Sequence, residues 1–458
     1  MKHVSRILPL LFFLVSVGFG WQEVKLPVTE AGKQVAAYIK AFNSGDAKEM
    51  RSFFETYAAK KTPAKATIEQ RLERYRQMNG RMGTLALKKV FEATEAGVTV
   101  LATSSNGGML RLEFEFEPDA PHGFLGLAVD QAENEDPAAP RAENDAQLVT
   151  EVAKLLNEQV AANEFSGVVL IMKNDSALFS NAYGYADVEK KISNNFETKF
   201  NIGSINKAFT TLAIHQLAAQ GKLSMADPIS KYLPEYPNKD TAGKVTIRHL
   251  LDMSSGIGDI FGQRFEATPK EKLKTIRDYI PLFADQALAF EPGTQQRYSN
   301  GGFIVLGAII EAVAGVDYYT YVHDNIFAKA GMMQTASFAK DEVVANRATG
   351  YTREAPGGVR LPNTAGMPGR GSSAGGGYST AGDLLRYTRA LATSDIAPPN
   401  YEQRQGMGIA GGAPGINAAL EWNPRAGYTV IVLSNYDPPS AERVARSIRG
   451  LLPKPNHR

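Results

Sequence analysis

Two pairs of apolar strands stand at opposite ends of one long stretch of chain, and they constrain the fold more than anything else in the sequence. The first pair is "FSGVVLIMKNDSALFSNAYGYAD", with a turn at Lys173–Ser176. The second is "INAALEWNPRAGYTVIVLSN", with a turn at Asn423–Gly427. Each pair reads as two strands around its turn. Between the pairs lies a mostly helical middle. Helix Ala146–Ala161 precedes the first pair and helix Ala441–Leu452 follows the second. The economical solution is one antiparallel sheet to which both ends of the segment contribute, covered by helices.

Upstream the composition changes. "QAENEDPAAPRAEND", Gln131–Asp145, is acidic, rich in Ala and Pro, and almost free of apolar residues, as a linker is. It separates residues 21–130 from residues 146–458, both plausible domain sizes. In the first piece Val35, Tyr38, Ile39 and Phe42 share a helix face, "NSGD" breaks the helix, and Met50, Phe53, Phe54 and Tyr57 repeat the pattern. In "MLRLEFEFE", Leu110, Leu112, Phe114 and Phe116 alternate with charged residues, so a half-buried strand follows. This order of helices and strands predicts a small α+β domain, and with "AFNSGD" it resembles the cone-shaped nuclear-transport-factor-like domains. His122, among turn formers, reads as structural.

Residues 1–20 differ again. Lys2, His3 and Arg6 precede the apolar run Ile7–Phe19, and Gly18 and Gly20 give a small-x-small cleavage pattern before Trp21. This reads as a signal peptide, with an uncleaved anchor as the alternative, and it predicts a periplasmic or secreted protein. The run is short for a membrane span, so no stable span is expected after cleavage. Without residues 1–20 the 50 basic residues become 48, against 48 acidic ones. A neutral chain has no general electrostatic reason to bind nucleic acid. The sequence has no cysteine, which removes disulfides, thiolate metal sites, cysteine nucleophiles and a lipid-bearing cysteine. Its six histidines form no pair or cluster with metal-ligand spacing, so metal catalysis has no support.

The chemistry concentrates in the helical middle. In "FNIGSINKAFTTLAIHQLAAQG" a short extended stretch turns into a helix that ends at Gly221. Ser204 stands at the helix N-terminus, and Lys207 lies one turn on, on the same face. An amine is thus within reach of a hydroxyl, and free backbone N–H groups point toward whatever that hydroxyl attacks. A desolvated lysine can activate a serine. From these positions alone, Ser204 as an ordinary N-cap and Lys207 as a surface residue remain the alternative. Ser337 and Lys340 share the spacing without the strand–turn–helix setting. In "EPGTQQRYSNGG", Tyr298 and Asn300 sit on a loop before a helix, where a phenol could relay a proton and an amide could hold a substrate amide. Tyr236 and Asn238 also fit that spacing, within the proline-broken "YLPEYPN". Gly371–Gly375, "GSSAG", matches a nucleophile elbow, but the only histidine downstream is His457, and the run reads as a turn-rich loop.

Taken together, the C-terminal piece resembles the serine β-lactamase and penicillin-binding protein superfamily, in its class C-like branch. "GKLSMADPISKYLPEYP", "VTIRHLLDMSSGI", "EPGTQQRYSNGGFIVLGAIIEAVAG" and "GGGYSTAGDLLRYTRAL" resemble family segments in family order. The resemblance implies an α/β sandwich of the β-lactamase/transpeptidase type, with helices on both faces of the sheet and a helical subdomain. It implies acylation of Ser204, proton transfer shared by Lys207 and Tyr298, and Asn300 holding a substrate amide. The substrate would be a small molecule or peptide with an ester or amide bond, and no cofactor is implied. The family's third motif, Lys-Thr-Gly or His-x-Gly, falls on Ile409-Ala410-Gly411, so an isoleucine replaces a polar side chain. The segment before it, "SDIAPPNYEQRQGM", is too short for the family's usual strand, and Pro398-Pro399 argues against a central one. Backbone N–H groups of Ser204 and Gly412, beside Gly411, remain the expected oxyanion donors. Two readings follow: an exported serine hydrolase, more esterase or amidase than β-lactamase, or a weak or inactive member that binds cell-wall peptide or a protein.

Overall fold

The computed structural model describes residues 24–59, 67–105, 109–131, 141–353, 358–393 and 395–453. The expected signal segment lies outside them, as do residues 132–140 of the expected linker. At the linker's edges Gln131 still belongs to a strand and Asp145 already opens a helix. The chain divides into two compact units, Met1–Pro137 and Ala138–Arg458.

In the first unit, α1 (Glu30–Asn43), α2 (Ala47–Tyr57) and α3 (Ile68–Met82) precede an antiparallel sheet, β1 (Leu85–Ala93), β2 (Gly97–Ser104), β3 (Met109–Phe116) and β4 (Phe124–Gln131), paired in that order. Val35, Tyr38, Phe42, Met50, Phe53 and Phe54 are buried, as are the four alternating apolar residues of β3. Helix α3 was not among the sequence-based expectations. Its apolar stripe is thin, Leu72, Tyr75 and Met82, and a reciprocal capping box between Thr67 and Gln70 sets its start. His122 sits at φ 54° in a turn, its Nδ1 2.9 Å from the Glu117 carbonyl oxygen.

In the second unit, α4 (Asp145–Ala161) leads into β5 (Gly167–Lys173) and β6 (Ser176–Tyr183). After the helical middle come β7 (Met407–Ala413), β8 (Ile416–Asn423), β9 (Tyr428–Ser434) and the last helix, Ser440–Leu451. The sheet order is β7-β8-β9-β5-β6, antiparallel throughout. The first and last parts of the unit therefore meet at β5–β9, where Leu170 faces Ile431. Alternation sorts the side chains. Val168, Leu170, Met172, Leu420 and Ile431 join the large core of the helical middle. Val169, Ile171, Val430 and Val432 pack with Leu148, Val152, Val444 and Ile448 of the terminal helices. Helices cover both faces, as this fold type requires.

The short segment before β7 forms no extra strand. Residues 395–406 are irregular apart from a single turn at Glu402–Gln405, so β7 is the edge of the sheet. Among the described residues no single helix is long and apolar enough to cross a membrane.

Candidate active site

The site begins at a tight turn. Strand Phe200–Asn201 ends, the Asn201 side chain accepts the Gly203 N–H at 3.0 Å, and Gly203 takes φ 51°. That left-handed conformation suits glycine. The chain then rises through a single turn, Gly203–Ile205, into helix α5 (Asn206–Ala219). Ser204 thus stands at the helix entrance, half-buried. It is not a cap: no side chain caps α5, and the Ser204 hydroxyl faces Tyr298 and Lys207 instead.

Lys207 is 7% exposed, a position where a lone ammonium would cost several kcal/mol. Its Nζ is 3.1 Å from Ser204 Oγ and 2.7 Å from Asn300 Oδ1, and it also donates to the Ala374 carbonyl. The rings of Tyr298 and Phe303 cover it, with centroids 4.8 and 5.5 Å away. Burial pulls its pKa down to about 7, against the opposing pull of the Asp259 charge. A neutral amine has two N–H donors and one lone pair. Asn300 Oδ1 and the Ala374 carbonyl are both acceptors, so they take the two N–H groups and leave the lone pair for the Ser204 hydroxyl.

Tyr298 Oη lies 2.6 Å from Ser204 Oγ. The residue is 54% exposed, yet desolvation of the phenol raises its pKa above the ordinary value. It therefore keeps its proton at neutral pH and is a donor. The loop that carries it is docked along Met253–Ser254, which accept the N–H groups of Arg297 and Gly293 at 2.9 and 2.8 Å. Ser299 caps α6 (Asn300–Ala314) by accepting the Gly302 N–H at 2.9 Å. Asn300, expected to hold a substrate amide, is buried and bonded within the protein on both ends of its side chain. Its carbonyl faces Lys207, while its NH2 donates to both oxygens of Asp259 at 3.1 and 2.9 Å.

Gly411 is fitted against the serine turn. A Cβ there would lie 2.1 Å from the Ile202 carbonyl oxygen and 2.5 Å from the Ser204 nitrogen. A Cβ on Gly203 would likewise lie 2.9 Å from the Gly412 nitrogen. The Ser204 and Gly412 N–H groups therefore belong to adjoining backbone. Ile409 shares the Gly411 face of β7 by alternation and packs, partly buried, on the main core. An apolar side chain lines the strand where a polar one was expected.

The other candidates are scaffold. Asn238 caps helix Lys239–Lys244, and Tyr236 is buried. The Ser337 carbonyl accepts from Arg370 Nε. In "GSSAG", Ser373 Oγ donates to the Phe303 carbonyl at 2.8 Å, and the Ser372 and Ser373 carbonyls accept from Asn206 Nδ2 and Thr210 Oγ1. This loop forms the wall behind Lys207 and presents the Ala374 carbonyl to it. Sequence reasoning missed Ala374 and Asp259. A backbone carbonyl leaves no residue signature, and nothing local ties Asp259 to Asn300.

A model of the family described as Beta-lactamase matches residues 152–452, more than half of the chain. The chain is 29% identical over 339 residues to a putative penicillin-binding protein PbpX of Bacillus subtilis, covering 70% of this chain and 82% of that protein. It is 29% identical over 250 residues to penicillin-binding protein 4* of the same organism, covering 51% of this chain and 54% of that protein, so it spans about half that protein's length. Among solved structures, a penicillin-binding protein from Bacillus halodurans is 30% identical with a TM-score of 0.59, covering 64% of this chain and 99% of that one.

Proposed function

The chain belongs to the Beta-lactamase family of serine hydrolases, and from that premise we propose that it cleaves esters or amides through an acyl-enzyme on Ser204. The observation that carries this reading is the run of contacts Tyr298 Oη, Ser204 Oγ, Lys207 Nζ, at 2.6 and 3.1 Å. Ser204 Oγ attacks the substrate carbonyl carbon and passes its proton to neutral Lys207. The carbonyl oxygen takes the negative charge and is held by the N–H groups of Ser204 and Gly412. As the tetrahedral intermediate collapses, Tyr298 protonates the leaving oxygen or nitrogen and is reprotonated from Lys207 through Ser204's former proton. Water then attacks the acyl-enzyme and gives its proton to Lys207, which returns it to Ser204 Oγ as the ester bond breaks, releasing the acid, free Ser204 and neutral Lys207.

The substrate class follows from Ile409. A penicillin or a D-Ala-D-Ala peptide brings a carboxylate, and an isoleucine offers it no hydrogen bond. We therefore favour neutral esters and amides over β-lactams. The same residue supports a second reading, a weak or inactive member that binds cell-wall peptide or a protein. Lys2, His3, Arg6 and the apolar run after them support export. A native amino terminus at Met1 in protein recovered from the periplasm or medium would contradict cleavage before Trp21. Likewise, the class C-like branch rests on the four quoted segments and the cone-like assignment of residues 21–130 on their order of helices and strands.

Labelling with a fluorophosphonate probe and a fluorescent penicillin, compared with Ser204→Ala, tests the catalytic reading. Labelling that is lost in Ser204→Ala supports the acyl-enzyme, whereas wild type unlabelled by both probes supports the binding module. Among substrates, short-chain p-nitrophenyl esters should turn over and nitrocefin barely at all. The reverse pattern would sink the ester preference.

A further inference from the structure

Among the described residues Asp259 is the carboxylate whose charge acts on Lys207, and a fixed intermediary joins the two. Asp259 lies in "SSGIGDIF", the segment that also docks the Tyr298 loop. Asp259 Oδ2 accepts the backbone N–H of Asn300 at 3.1 Å, and its two oxygens accept the Asn300 NH2 at 3.1 and 2.9 Å. Oδ1 also accepts the Phe261 N–H at 3.1 Å, which ties the carboxylate to its own loop. The backbone fit is close: a Cβ on Gly301 would lie 2.4 Å from the Gly258 carbonyl oxygen. A carboxylate only accepts, so the Asn300 NH2 must face Asp259 and its carbonyl must face away, onto Lys207 Nζ. The position at the start of α6 further favours a negative charge.

We propose that Asp259 is the positioning residue of this site: by accepting the backbone N–H and the side-chain NH2 of Asn300 it locks the Asn300 carbonyl onto Lys207. The same bonds hold a negative charge one residue away from the Lys207 amine. The proposal rests on the acyl-enzyme reading above. Other groups around Lys207 do not supply that charge. The Tyr298 phenol is neutral at working pH, Asn300 and Phe303 carry no charge, and Gly371–Gly376 offers only the Ala374 carbonyl. Strand β7 has no titratable side chain. A neighbouring negative charge favours the ammonium form, so Asp259 opposes the effect of burial, as the direction of its influence on Lys207 requires.

The test is the pH dependence of fluorophosphonate incorporation in Asp259→Asn and wild type, on full-length protein with melting checked in parallel. Removing the charge makes the Lys207 ammonium easier to deprotonate. The acidic limb should therefore move to lower pH by roughly one pH unit. The high-pH plateau should also fall roughly tenfold or more, because the Asn300 amide is no longer held in one orientation. A limb that superimposes on wild type overturns the proposal whatever the plateau does, since a purely structural carboxylate lowers the rate without moving the curve. If Asp259→Asn does not fold, Asp259→Glu is the second variant. It keeps the charge but displaces it by a methylene, so the plateau should fall, and a plateau equal to wild type overturns the positioning role. Wild type that takes up no probe at any pH overturns instead the acyl-enzyme reading, so the two failures are distinct.

Discussion

Tyr298 Oη stands 2.6 Å from Ser204 Oγ while the face of the same ring lies 4.8 Å from Lys207 Nζ. One side chain therefore does two jobs: its oxygen contacts the hydroxyl, and its ring keeps water from the amine. Tyr298→Phe separates them. The ring remains over Lys207, the relay is lost, and acylation of Ser204 by a neutral ester should fall by roughly 100-fold. Because the residue is 54% exposed, thermal melting should stay at the wild-type value. An unchanged acylation rate in stopped-flow measurements would remove Tyr298 from proton transfer.

Lys207 sets the pH dependence. As an ammonium it has three donors and no lone pair, so it cannot take the Ser204 proton. With its pKa pulled down to about 7, activity should be present above pH 7 and fall away as the pH drops through that value. Lys207→Arg stays charged at every pH and should be inactive throughout. Stability obeys the same shift with a definite sign. Between pH 7 and the ordinary lysine range the unfolded chain binds more protons at this position than the folded one. Stability relative to Lys207→Met should therefore rise with pH across that window. Chemical denaturation of both proteins at several pH values would expose a flat or falling difference.

The fit of Gly411 against the serine turn predicts a sharp contrast within one strand. Gly411→Ala drives a methyl onto the Ile202 carbonyl oxygen and the Ser204 nitrogen, whereas a Cβ on Gly408 meets nothing within 4 Å. Gly411→Ala should destabilise the protein by about 1–3 kcal/mol and abolish acylation, through the backbone shift it forces. Gly408→Ala should leave acylation intact. Equal behaviour of the two variants in melting and probe labelling would contradict the close approach.

Ile409 gives the specificity prediction. Ile409→His restores a polar ring on the Gly411 face of β7, and acylation by a fluorescent penicillin should rise about tenfold relative to a neutral ester. Steady-state rates on both substrates decide it. An equal change in both rates would mean that position 409 does not read the carboxylate.

The parts of the site legible from sequence are those whose partners are near in the chain or carry a distinctive residue type. Ser204 and Lys207 are three positions apart on one helix entrance, so helical geometry alone brings them together. Tyr298 and Asn300 stood out as a phenol and an amide on a loop before a helix. Asp259 did not, because its bond to Asn300 spans 41 positions and an aspartate in a glycine-rich segment looks like any turn residue. Helix α3 escaped for a related reason: Leu72, Tyr75 and Met82, the buried apolar side chains among its described residues, are too few for periodicity to reveal. "GSSAG" invited a catalytic reading, yet its contribution to the site is a main-chain carbonyl.

By itself the sequence determined the strand pairs at both ends of the second unit, the helical middle, the serine turn with its lysine, and the isoleucine in the third motif. Each depends on local spacing or on side-chain polarity, which the chain carries wherever it goes. Only the tertiary structure decided the protonation chemistry. The amine, two acceptors and a carboxylate had to be assembled from α5, the 371–376 loop, α6 and the 254–261 segment. Burial there lowers the lysine pKa, and the direction in which Asn300 points follows from what surrounds it. Both are properties of an enclosed space, which exists once distant segments have packed together.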